Sequence, residues 1–158
     1  MTTEFATLDD AILASFPPQF CRVLVVREQG DHAVALFDMR LSAEPYLYEV
    51  QYQRENGRWS EGHSANGAGW HLLDLDSDLG VVTAWGGTPA DADRVRGQLE
   101  GRVLEDAVEN GVYLLVWWNV PESHAEITAF RVKGEWVRAS PIWNRVWEKR
   151  QAWLRGRA

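Results

Sequence analysis

A β-rich α+β fold is predicted: an N-terminal helix, about nine or ten mostly antiparallel strands in two layers, and a C-terminal helix. Three observations predict it. Short runs of β-branched and aromatic residues recur along the chain, separated by Asn-Gly, Lys-Gly and Pro punctuation. Both alternating faces of Val112–Trp118 are apolar, which places that strand in the centre of the assembly and calls for two layers. Helical spacing of apolar residues occurs only towards the two ends, over Thr7–Phe16 and after Pro141.

The elements follow in order. Thr7 is a capping residue, Asp9 and Asp10 suit the positive end of a helix, and Leu8, Ile12 and Phe16 keep helical spacing until Pro17-Pro18 stops it. Strands are then expected over Cys21–Arg27 and His32–Arg40, turned by Glu28-Gln29-Gly30-Asp31. The next, Tyr46–Arg54, alternates: Tyr46, Tyr48, Val50 and Tyr52 are expected on one face, with Leu47, Glu49, Gln51 and Gln53 mostly towards water. Asn56-Gly57 and Asn110-Gly111 supply the positive φ that a primed two-residue turn needs. They predict hairpins to Arg58–His63 and between Arg102–Val108 and Val112–Val120. Val81–Trp85 is a further expected strand, and Lys133-Gly134 joins Ala125–Val132 to Glu135–Val137. The recurring Gly-turn-aromatic pattern is unevenly spaced and marks hairpins rather than a repeat array.

The organisation read from this pattern is a helix-plus-sheet lobe over residues 1–63, a connecting loop over 64–78, a sandwich-like lobe over 79–137 and a basic Trp-rich helix over 138–158. With 158 residues the chain is long enough to build its core without disulfides or metals. Its net charge of −7 argues against general nucleic-acid binding by the body. Cys21, the single cysteine, excludes an internal disulfide and lies in an apolar run, so a buried inert thiol is expected. Met1–Phe5 lacks the features of a signal peptide, and no apolar run is long enough for a spanning helix, so a cytoplasmic location is expected.

The runs Tyr46-Leu47-Tyr48-Glu49, Asn56-Gly57-Arg58-Trp59, Asn66-Gly67-Ala68-Gly69-Trp70, Val82-Thr83-Ala84-Trp85-Gly86 and Asn110-Gly111-Val112-Tyr113 resemble those of small uncharacterised β-rich proteins of high-GC actinobacteria. Use of 14 Arg against 2 Lys fits such a source. The resemblance covers residues 20–132 and implies no activity. In shape, the first half is similar to a cystatin/NTF2-like helix-on-sheet unit and the second to an immunoglobulin-like sandwich, and shape does not fix function.

Candidate chemistry is sparse. Asp74-x-Asp76-x-Asp78 opens like a calcium loop, but Leu79 stands where Gly is required and Trp85 where a bidentate Glu is required. Gly62–Gly69 has the glycine spacing of a phosphate loop with Ala68-Gly69 in place of Lys-Ser/Thr. His32, His63, His71 and His124 form no zinc spacing. General acid/base chemistry has one place to assemble, His63 and His71 with Asp74 or Asp76, and a solvated loop is the simpler reading of it. No cofactor and no metal are expected.

Two groups of residues remain as candidate sites. Tyr46, Tyr48, Tyr52, Trp59 and Trp70 are a candidate aromatic ligand pocket in the first half, and Trp85 too stands where it either lines a pocket or packs. The second group is the C-terminal segment. Residues 131–158 carry eight basic against two acidic residues, net +6, whereas residues 1–130 carry eight against 21, net −13. There, Trp143, Trp147 and Leu154 share an apolar stripe flanked by Val146 and Trp153, with Arg145, Lys149 and Arg155 to the side, and Arg150 belongs to the same candidate tail. Packing on the chain's own body is weighed above service to a partner, because exposed tryptophans invite aggregation. The expected function is a non-catalytic cytoplasmic binding or interaction protein whose partner is another protein or a second copy. The alternatives are a small-molecule binder or small enzyme using the aromatic pocket, and a nucleic-acid-associated protein acting only through the tail.

Overall fold

The computed structural model describes residues 3–39, 46–65, 69–72 and 78–139. The chain divides into two compact units, Met1–Gly67 and Ala68–Ala158. The fold class expected from the sequence, α+β in two layers with a helix at each end, is corrected. The described residues form twelve strands in three antiparallel sheets and one helix of eight residues. The expected C-terminal helix lies outside the described residues.

In the first unit the helix α1 (Leu8–Ser15) begins where Thr7 accepts a hydrogen bond from the Asp10 amide, 3.1 Å away. A five-stranded sheet runs in the order β1 (Glu4–Phe5), β5 (Arg58–Ala65), β4 (Leu47–Glu55), β3 (His32–Asp38), β2 (Arg22–Gln29). Ala11 and Ile12 of the helix lie on one face of it against Ala33, Ala35, Phe37, Val50, Tyr52 and Trp59. Asn56 and Gly57, at φ 53° and 76°, make the β4–β5 turn that Asn-Gly encodes. The alternation expected for β4 holds on one face only. Leu47, Glu49 and Gln51 are buried instead of facing water, and the Gln51 amide donates to the Glu49 carboxylate at 2.9 Å. Period-two patterning tells the two faces of a strand apart; it does not tell whether the second face is covered.

The second unit holds two sheets. One has the order β10 (Val112–Val120), β7 (Gly80–Gly87), β6 (Gly69–Leu72); the other β12 (Glu135–Arg138), β11 (Glu126–Val132), β8 (Ala92–Leu99), β9 (Arg102–Ala107). Their facing side chains form one core in which Val82, Leu115 and Trp117 of the first sheet meet Val95, Leu99 and Phe130 of the second. Three strands were not read from the sequence. β1 is two residues long, β6 falls inside the stretch read as a loop, and β8 is written in polar residues, with Arg94, Arg96 and Gln98 alternating against Val95 and Leu99.

Two further expectations are corrected in this unit. Asn110 and Gly111 do take φ 54° and 75°, but past the Glu109–Val112 bridge the flanking strands part, β9 to one sheet and β10 to the other. The turn chemistry fixes a reversal of the chain and is silent about which strand then accepts the pairing. β10 is buried along both faces as expected, yet it is an edge strand of its sheet and not a central one. The face bearing Tyr113, Leu115 and Trp117 lies against β8 and β9 of the facing sheet.

Candidate functional cleft

A cleft of about 270 Å³ opens in the second unit. Its walls are Val82–Trp85 of β7, Gly69 at the start of β6, Tyr113 of β10 and the segment Ser123–Ile127 that leads into β11. Each wall has a local cause. β6 begins at Gly69, opposite Thr83, and the Thr83 hydroxyl donates to the Gly69 carbonyl at 3.4 Å. Tyr113 is set by an edge-to-face contact with Phe130, centroids 5.6 Å apart. Pro121 ends β10, and the Ser123 hydroxyl folds back to its carbonyl at 2.8 Å, which shapes the loop carrying His124. On the opposite rim Gln98 donates to the Glu126 carboxylate at 3.4 Å.

The lining therefore brings the polar residues Thr83, Tyr113, Ser123, His124 and Glu126 together with Trp85 and the apolar Val82, Ala84 and Ile127. That is the mixed chemistry of a small-ligand site, and its volume falls just below the roughly 300–1,000 Å³ that such sites occupy. Among the described residues no group of three or more His, Cys, Asp or Glu is arranged to hold a metal ion.

The structure separates the five aromatic residues read as one pocket. Tyr52 and Trp59 are buried in the core beneath α1, with Tyr48 half-buried beside them. The Tyr48 hydroxyl donates to Ser64 at 3.0 Å, and Arg54 stacks over Trp59 at 5.1 Å. Tyr46 is half-buried just before β4, its amide donating to the Asp38 carboxylate at 3.3 Å. Trp70 belongs to the other unit, where its indole donates to the Val120 carbonyl at 3.1 Å. The tail residues Trp143, Arg145, Trp147, Lys149, Arg150, Trp153 and Arg155 lie outside the described residues, as do Asp74 and Asp76. His63 lies on β5 and His71 on β6, one in each unit.

No family model, curated protein or solved structure matches this chain.

Displaced ionisation marks three other places. Burial pushes the Cys21 thiol up, with Asp38 adding to it, and its sulfur donates to the Pro17 carbonyl at 3.2 Å. Burial likewise pushes the Tyr52 phenol up to about 12. The Arg131 guanidinium, hydrogen-bonded to Asp93, holds that carboxyl below the usual range.

Sequence reading missed Thr83, Tyr113, Ser123 and Glu126 as site residues. The visible signals were Trp85, weighed as a pocket residue, and His124, seen only as one of four scattered histidines. Gly69, Thr83, Tyr113 and His124 are brought together by strand pairing, which leaves no mark in local spacing.

Proposed function

We propose that this chain is a non-catalytic binding protein of the cytoplasm that holds a small, mainly uncharged ligand in the cleft of its second unit. The observation carrying this reading is the lining itself. Thr83, Trp85, Tyr113, Ser123 and His124 line one cleft together with Val82, Ala84 and Ile127. No Lys or Arg is among the described lining residues, so a phosphate or carboxylate ligand would lack a counter-charge there. A hydroxylated or amide-bearing ring compound suits such a lining of polar and aromatic residues. The cytoplasmic placement is supported by Cys21, a lone buried thiol of the kind reducing compartments preserve. No helix among the described residues is long and apolar enough to cross a membrane.

The test is a neutral-fragment screen on isotope-labelled full-length protein. The expected result is a set of fragments whose chemical-shift changes gather on Thr83–Trp85, Tyr113 and Ser123–Ile127. Those shifts should disappear in His124→Ala/Thr83→Val. Hits that map elsewhere, or that survive the double substitution, overturn the assignment of the site.

A further inference from the structure

The outer face of the four-stranded sheet carries arginines in a chain of net charge −7. Val95, Leu99 and Phe130 point into the core, so the intervening positions stand on the opposite side. Pairing registers place Trp136, Arg131 and Arg94 in one cross-strand row, and Arg138, Ala129 and Arg96 in the next. Two of these arginines are engaged. Asp93 grips Arg131 through two bonds of 3.0 and 2.7 Å, and Glu105 accepts from Arg96 at 2.7 Å. The Arg96 guanidinium also reaches across β11 to lie 3.9 Å from the centroid of the Trp136 ring, and Ala129 between them is buried.

Arg94 and Arg138 are different. Neither makes a hydrogen bond or ion pair among the described residues, and Arg94 stands directly opposite the like-charged Arg131. Like charges facing each other across a strand pair are unfavourable unless an anion is shared between them. Asp93 lies near both. The face is thus short of negative charge at its two ends, with a stacked Arg–Trp platform between.

We propose that this face docks an acidic protein segment, its carboxylates taken by Arg94 and Arg138 and its side chains lying on the Arg96–Trp136 platform. Guanidinium forks match carboxylates in a bidentate geometry. A peptide fits better than a nucleic acid because Asp93 and Glu105 stand on the same face. A phosphodiester strand carries a charge at every nucleotide and would meet them, whereas a peptide spaces its carboxylates among neutral residues.

The probe is a short fluorescein-labelled peptide of alternating Glu and Ala, titrated against the full chain by fluorescence anisotropy at low salt. Arg94→Gln/Arg138→Gln is expected to weaken binding about tenfold, as loss of two exposed charge contacts implies. Added salt should weaken the wild-type complex, and the Trp136 indole resonance should move on titration. A tail variant, Arg145→Gln/Lys149→Gln/Arg150→Gln, should keep the Trp136 shift. Unchanged affinity in the Arg94/Arg138 variant, with its circular dichroism intact, overturns the proposal, and so does a tail variant that loses both binding and the shift. Tighter binding of an oligothymidylate, with the same Trp136 shift, would make nucleic acid the occupant and overturn it too.

Discussion

The phenolic oxygen of Tyr52 lies 2.6 Å from the Oγ of Ser15, joining the last turn of α1 to the middle of the sheet beneath it. Ser15 also donates to the Ala11 carbonyl at 3.1 Å and lies 3.4 Å from the Glu61 carboxylate on β5. The Ser15 hydroxyl thus ties the helix to two strands through two contacts. Tyr52→Phe removes that bond and keeps the ring, so it should cost about 1 kcal/mol of stability in urea unfolding. Tyr52→Ala also leaves a cavity beneath α1 and should cost on the order of 3–5 kcal/mol.

Alkaline pH should act through the same residue. Burial raises the Tyr52 phenol to about 12 from its ordinary 10, with the Ser15 hydrogen bond pulling the other way and Glu61 adding to the rise. A raised folded-state value means that the fold favours the neutral phenol. That contribution is fully present below pH about 10 and is lost as pH climbs through about 12. Thermal melts across this interval should show the wild-type advantage over Tyr52→Phe shrinking. A constant difference would place the Tyr52 phenol at its ordinary value.

Gly97 on β8 packs against Trp117 so closely that a methyl group has no room. A Cβ there would stand 2.7 Å from Leu115 Cδ1, 3.0 Å from Trp117 Cη2 and 3.1 Å from the Glu126 carbonyl. Gly97→Ala should therefore cost about 1–3 kcal/mol through overpacking. Among the described residues the buried Trp117 indole N–H has no hydrogen-bond partner. Trp117→Phe removes that orphaned donor and part of the ring at once, so it should cost far less than the roughly 3–5 kcal/mol of Trp117→Ala. In a double-mutant cycle, Gly97→Ala should be tolerated better beside Phe at position 117. Strict additivity would show that the two sites do not share this space.

Lys133 occupies the first position of the β11–β12 turn at φ 51°, followed by Gly134 at φ 80°. Side chains other than Gly, Asn and Asp resist that conformation by roughly 1–2 kcal/mol. Lys133→Asn should therefore stabilise the protein by about 1 kcal/mol, read as a raised melting temperature. The equivalent change is already present at Asn56 and Asn110.

What the sequence determined by itself was local. Thr7 capped the helix, Pro17 ended it, and Asn56-Gly57 and Asn110-Gly111 took the positive φ their residue types favour, as did Gly134 after Lys133. Each of these depends on torsional preferences of a few neighbouring residues. Only the tertiary structure decided the rest. Asn110-Gly111 leads into a strand of another sheet, Glu49 is buried on the face expected to be wet, and β8 is a strand despite its arginines. Trp70 and Tyr52, both aromatic and both near turns, fell into separate units. The cleft of Thr83, Tyr113 and His124 exists because β7 pairs with both β10 and β6 while the loop before β11 returns to the same place. Pairing between distant strands is settled by which faces are buried together, and that energy belongs to the assembled core rather than to any short run of residues.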